Sequence, residues 1–368
     1  MPENINNSLY LHAFNLLPQF GPARLGKVFE GFESTKEAFY ASEIQLLKIG
    51  LESEIIKAFI EFKKTLDLEV EIAKLEKEKI SLILKTDSGF PTLLKEIPKC
   101  PPLLYFKGSF GQDPDELCLA VVGTRKITNY GRSVTPQILE PIVASGITIV
   151  SGLAYGVDGL AHKISVDAGK RTIAVLGGGL DEKTLYPQNH IHLSEQILEK
   201  GGALISEHPP GTPCLRHHFI FRNRIISGLA LGTLVIECGL KSGSLITATH
   251  ALEQNRQVYA VPGPIYSEES KGPNNLLKMG AKPVTESMDI LTDLNIQELP
   301  QEKQNQDLFE ASTNEVIILK ILTTDPKLFN DIVKETSLKA EEISAALTFL
   351  EMKGKIRNLG GQQYILNR

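Results

Sequence analysis

Apolar positions recur at helical spacing from residue 9 to about 75, with short breaks at Phe20-Gly21-Pro22 and Ile49-Gly50-Leu51, where glycine and proline interrupt a helix. The pattern predicts a small helical unit over residues 1–80. From residue 82 to about 291 the grammar changes to short apolar runs alternating with helical segments, which is how a parallel α/β sheet reads. Six runs carry it: 117–123, 147–152, 172–177, 203–207, 233–237 and 258–263. They end in glycine or an acid and then a loop, as buried parallel strands do. In such sheets ligands bind beyond the carboxyl ends of the strands, where helix N-termini present unpaired N–H groups. The loops after these runs therefore belong together. A polar stretch, 297–306, holds Glu298, Pro300, Glu302 and Lys303 with little to bury, and reads as a linker. The expected organisation is a helical domain (1–80), a sheet domain (81–296), a linker (297–312) and a small third domain (313–368).

Composition adds limits. The chain has 368 residues, 42% hydrophobic and 23% charged, with a formal net charge of -5, so a site for a polyanion must be a local patch on an acidic background. Cys100, Cys118, Cys214 and Cys238 are far apart with no CxxC pair, which disfavours a zinc site and a disulfide framework. The N-terminus lacks a basic stretch before an apolar core, and no run approaches membrane-spanning length. A cytoplasmic protein with no membrane partner is expected.

The loops exclude the commonest cofactors. A dinucleotide site needs GxGxxG after the first strand and an acid near the end of the second. Here the first loop reads Gly123-Thr124-Arg125-Lys126 and the second strand ends in Ser151-Gly152-Leu153. Gly239-Leu240-Lys241-Ser242-Gly243-Ser244 does not fit GxxxxGK[ST] either. No cofactor, metal or catalytic residue is assigned.

The loops hold cations instead. Pro209-Pro210-Gly211-Thr212-Pro213 leads into Arg216-His217-His218-Phe219 and Phe221-Arg222-Asn223-Arg224, with Lys241-Ser242-Gly243-Ser244 some way on. If both segments lie at one sheet edge, they supply cations for phosphates and rings for bases, as a single-stranded nucleic acid requires.

Several motifs identify a family resemblance. Asp87-Ser88-Gly89-Phe90-Pro91, Val122-Gly123-Thr124-Arg125, Ser151-Gly152-Leu153-Ala154-Tyr155-Gly156-Val157-Asp158, Ala161-His162, Arg222-Asn223-Arg224-Ile225-Ile226-Ser227-Gly228 and Lys241-Ser242-Gly243-Ser244 resemble the DNA processing protein A (DprA, Smf) family, in order and spacing, over residues 87–280. The resemblance implies an extended Rossmann-like parallel sheet between an N-terminal helical domain and a C-terminal winged-helix-like domain. It implies a non-enzymatic protein that binds single-stranded DNA in natural transformation and DNA recombination, protects it, and helps load RecA recombinase. It also implies a homodimer, paired through the late part of the sheet domain around 274–279.

The DNA-binding residues expected on this reading are Arg125, Ser151, Gly152, Arg216, His217, Phe219, Arg222, Asn223, Arg224, Lys241, Ser242, Gly243 and Ser244. Arg125 sits in a strand-end loop and can reach a phosphate. Ser151 and Gly152 would offer a hydroxyl and a backbone N–H to an anion. Arg222 and Arg224 diverge on a helix, so one should face phosphate while the other braces the loop. Phe219 is the stacking candidate, against a core role beside Ile220. Lys241 to Ser244 would grip a phosphate at the start of a helix over 245–254, or simply cap that helix through Ser242 or Ser244.

The flanking regions are weaker DNA candidates. Gln19 and Lys48 replace the first glycine that helix-hairpin-helix turns use to approach phosphate, so direct contact there is not expected. The third domain should place a second helix over 338–352 and a wing over 355–366, with near-balanced surface charge that suits a partner-binding module. A competing reading is a nucleotide-binding enzyme or sensor resembling the phosphoribohydrolases. Glu237, at the end of Leu231-Gly232-Thr233-Leu234-Val235-Ile236-Glu237, keeps it open, although two glycines of the PGGxGTxxE signature are missing. A third reading, a pure scaffold, requires Arg216, Arg222, Arg224 and Lys241 all to be paired by local acids.

Overall fold

The computed structural model describes residues 3–113, 116–296, 313–323, 326–336, 338–352, 355–360 and 363–366. The expected linker lies outside the described residues. The chain forms two compact units, Met1–Pro300 and Gln301–Arg368.

The larger unit is built on nine strands: β1 (Ser81–Leu84), β2 (Leu103–Gly108), β3 (Cys118–Val122), β4 (Thr148–Ser151), β5 (Thr172–Leu176), β6 (Ala203–Ser206), β7 (Gly232–Val235), β8 (Gln257–Ala260) and β9 (Lys282–Pro283). Their spatial order is β1-β2-β6-β5-β4-β3-β7-β8-β9. From β6 to β9 every pairing is parallel, while β2 joins β6 and β1 joins β2 antiparallel. The six strands from β5 to β9 thus run in Rossmann order, extended at one edge by β6, β2 and β1. All six runs read from the sequence are strands. The antiparallel additions went unread because β1 and β2 lie among turn-forming residues and repeat no βα unit.

The sheet is covered on both faces, so its strands read as continuous apolar runs rather than alternating ones. Leu119, Val121, Ile149 and Leu234 face one core, with Ile138 and Ile142 of the helix Asn129–Ala144. Ala120, Val122, Val175 and Val235 face the other, with Ile225 and Ile226 of the helix Arg216–Gly228. Period-two alternation in direction sends neighbouring residues to opposite cores.

The N-terminal helices pack on the extended edge. Phe14 stacks on Phe59 with centroids 4.0 Å apart, and Phe20 and Phe39 close the same cluster. That cluster continues into the sheet through Leu103, Tyr105, Leu176 and Leu204. Two polar ties fix the angle of approach: His12 Nδ1 lies 2.8 Å from the buried Tyr105 hydroxyl, and Asn15 Nδ2 donates to the Glu207 carbonyl at 2.9 Å.

The smaller unit holds helices Thr313–Ile321, Phe329–Thr336 and Ala340–Met352 with β10 (Lys327–Leu328), β11 (Ile356–Gly360) and β12 (Gln363–Leu366). The strands pair antiparallel in the order β10-β12-β11. Ile318, Ile332, Ile343, Leu347, Leu350 and Ile356 form its core. This is a winged-helix arrangement: the second recognition-type helix occupies 340–352 and the β11–β12 hairpin forms the wing.

Candidate nucleic-acid interface

The strand order reverses between β3 and β7, and there the loops carrying Arg125 and Lys241 emerge together. The Ser244 hydroxyl donates to the Gly123 carbonyl at 2.8 Å, locking the two loops across 121 residues of sequence. Asn223 Nδ2 donates to the Gly243 carbonyl at 3.2 Å, drawing the helix Arg216–Gly228 to the same edge. Three separated segments thereby share one cleft.

Phe219, on that helix, faces the loop that carries Arg125. The exposed Arg125 guanidinium lies 5.2 Å from its ring centroid, Arg222 lies 5.7 Å away, and Tyr186 meets it edge-on at 5.8 Å. A half-buried ring flanked by cations can take a base on its open face while the guanidiniums hold charge beside it.

Arg222 is almost wholly buried, and its Nη1 donates to the Gly152 carbonyl at 2.9 Å and to the Val175 carbonyl. Its Nε has no hydrogen-bond partner among the described residues. Burial lowers the Arg222 guanidinium to about 10, against the opposing pull of Asp158; it remains charged at neutral pH. Burial also raises the Asp158 carboxyl, although Arg222 favours its ionised form. Asp158, in the first turn of the helix Val157–Asp167, accepts the Gly152 N–H at 3.2 Å. A Cβ at 152 would fall 2.5 Å from Arg222 Nη1, so any larger residue there requires the guanidinium to move.

Arg224 points away from this ring. Its Nη1 and Nη2 donate to Glu207 Oε2 and Oε1 at 2.6 and 2.5 Å, and its Nε donates to the Lys99 carbonyl at 3.1 Å. Burial pulls its pKa down, but the charge and hydrogen bonds of Glu207 outweigh that and leave it raised. Both arginines are thus buried and held by internal partners, where helical spacing alone suggested one outward and one inward. The reason is tertiary: Glu207 and the Gly152 carbonyl come from β-strand ends that the sequence does not place beside this helix.

Other expected contacts are also turned inward. The Ser151 hydroxyl donates to the Val121 carbonyl at 2.6 Å, so it and the Gly152 N–H are engaged within the sheet edge. Ser242 caps the helix Gly243–Glu253 by accepting the Ser244 N–H. His218 Nδ1 lies 3.0 Å from the Gly177 carbonyl, and the ring stacks on His208 at 4.1 Å. Arg125, Arg216, His217, Lys241 and Gly243 are exposed. Glu237 is buried and accepts the Thr128 N–H at 3.1 Å and hydroxyl at 2.6 Å, which makes it a brace between β7 and the loop after β3.

Sequence reasoning missed Asp158, Glu207 and Tyr186. The first two were legible only as acids near cations in space, and Tyr186 lies in a loop with no motif of its own. No cluster of three or more metal-ligating side chains occurs among the described residues, and none of their helices is long and apolar enough to cross a membrane.

The chain combines a Rossmann-order sheet, with a cation-flanked aromatic ring near its switch point, and a separate winged-helix unit. Its family is equally plain: residues 81–295 match the DNA recombination-mediator protein A family and 302–362 match the DprA winged helix domain. The chain belongs to this family. It is 41% identical over 251 residues to Protein Smf of Escherichia coli, covering 68% of this chain and 66% of that one. Protein Smf of Synechocystis is 33% identical over 394 aligned residues, covering 96% and 98%. Among solved structures, DNA processing protein A of Streptococcus pneumoniae superposes with a TM-score of 0.64 at 33% identity, over 77% of this chain and 95% of that one. DNA processing protein A of Helicobacter pylori, described for its single-stranded DNA binding mode, gives 0.52 at 26% identity over 59% and 96%.

Proposed function

We propose that this protein binds single-stranded DNA in the β3/β7 cleft, protects it, and helps load RecA recombinase onto it in natural transformation and DNA recombination. The observation that carries the reading is Phe219 set between the guanidiniums of Arg125 and Arg222. On this reading Phe219 stacks a base, and Arg125, Arg216, Lys241 and the N-terminus of the helix Gly243–Glu253 face phosphates. His217 and Asn223 add polar contacts. Arg222, Arg224, Ser151, Gly152, Ser242 and Ser244 hold the cleft in shape.

The protein acts without covalent chemistry. In support, the Ser151 hydroxyl is tied to the Val121 carbonyl and His162 Nδ1 meets the Thr172 hydroxyl. On this reading the helical domain spans 1–80, strand binding lies in the sheet domain 81–296, 297–312 is a linker and the domain 313–368 has a regulatory role. The partner copy of a homodimer docks through 274–279, where Met279 is exposed, and the site of action is the cytoplasm, with RecA.

A salt-titrated binding assay comparing single-stranded DNA, duplex DNA and mononucleotides tests the proposal. Tightest binding to the single strand, falling steeply with salt, is expected. Tight mononucleotide binding without strand preference would instead establish the nucleotide-enzyme reading.

A further inference from the structure

Two cavities flank the exposed ring of Phe221, on the opposite side of the helix Arg216–Gly228 from Phe219. One, of about 690 Å³, lies between the Pro209–Pro213 loop and the N-terminal helices; its walls include Leu17, Pro210, Leu215 and His217. The other, of about 660 Å³, is lined by Arg24, Lys27, Lys85, Lys99 and Arg224. Gly21, Pro22 and Phe221 line both. They form a saddle between an apolar basin and a cationic one.

The charge in the second basin is partly unspent. Arg24 is paired with Glu52, and Arg224 with Glu207. Lys27 Nζ donates to the Gly50 carbonyl at 2.5 Å. Lys85 and Lys99 have no ion-pair partner among the described residues, and Glu30 is the one further acid in the lining. Phe221 is 57% exposed, an arrangement that costs hydrophobic burial without stabilising the core.

We infer that this groove is a second single-strand subsite: a base stacks on Phe221 while neighbouring phosphates lie against Lys27, Lys85 and Lys99. It rests on the proposed binding of single-stranded DNA in the β3/β7 cleft. A strand is the occupant because both needs of a polynucleotide, an exposed aromatic face and uncompensated cations, stand side by side on the helix that carries the first cleft. The helical segment therefore contributes to binding through the wall of a groove, without the glycine-led approach of a helix-hairpin-helix turn. A strand long enough to leave the first cleft continues across the helix Arg216–Gly228 into this groove.

The test compares oligodeoxythymidylates of about 6 and about 30 nucleotides, lengths that fill one subsite or several, on the full chain and two variants. These are Phe221→Ala and the double variant Lys85→Gln, Lys99→Asn; Asn suits position 99, where φ is +57°. The long oligonucleotide should bind Phe221→Ala roughly tenfold more weakly with an unchanged salt slope, and the lysine variant should lose about 1 to 2 from that slope. The short one should bind all three proteins alike. Wild-type affinity of both variants for the long strand overturns the subsite and leaves the first cleft standing. Equal losses for both lengths overturn it too, since the groove is then part of the first site. Failure of the wild type to bind either length removes the proposed function itself, and this inference with it.

Discussion

Arg224 and Glu207 meet as a fork, Nη1 to Oε2 at 2.6 Å and Nη2 to Oε1 at 2.5 Å, with both side chains under a tenth exposed. The pair ties the helix Arg216–Gly228 to the segment after β6. It fixes the rotation of that helix, which also carries Phe219.

Breaking the fork leaves a buried charge without its partner, which costs roughly 3–5 kcal/mol. Glu207→Gln should lower unfolding free energy by about 3 kcal/mol in urea titrations. Its single-strand salt slope, measured where the variant is folded, should match the wild type. A reduced slope in Arg224→Gln would instead identify Arg224 as a phosphate ligand.

Phe219→Ala removes the ring between two guanidiniums. Single-strand affinity should fall by roughly 1–3 kcal/mol with little change in salt dependence. The thermal midpoint should hold, since the ring is only partly buried; a collapse would reassign Phe219 to the core.

Arg125 and Lys241 are exposed on the two loops that Ser244 locks together. The Arg125→Ala, Lys241→Ala double variant should lower the log–log salt slope by up to about 2, one per phosphate contact. An unchanged slope places the phosphates elsewhere.

Acid should destabilise the fold through its buried histidines. Thr172 Oγ1 donates to the Ile149 carbonyl, so it accepts the proton of His162 Nδ1, and the ring is wholly buried. Burial lowers His162 from 6.5 to about 3 and His208 from 6.5 to about 4. Between those values the unfolded chain binds protons that the folded one refuses, so their contribution is full above pH 6.5 and is lost as pH falls. Urea titrations at pH 7.5 and 4.5 should show that loss, and His162→Gln should show less of it.

Deleting 313–368 should leave single-strand binding largely intact, because 301–368 is a separate compact unit with its own core. A folded truncation that loses most of its affinity would make the winged-helix unit a DNA-binding element.

The sequence by itself determined the parallel sheet, the helical segment before it and the helix-and-wing pattern after it. Buried strands and amphipathic helices must repeat their apolar positions locally, and that periodicity survives in one dimension. It also marked the loops that would share an edge, since Gly123, Lys241 and Ser244 follow the ends of strands. The tertiary structure alone decided the roles of the cations. Arg222 and Arg224 read alike in the chain, yet one approaches Gly152 and Asp158 while the other is clamped by Glu207. Glu207 lies 17 residues from Arg224 and Gly152 lies 70 from Arg222, and a charge is spent or free according to what stands beside it in space. The same holds for Phe219 and Phe221, two positions apart on one helix and turned toward different clefts.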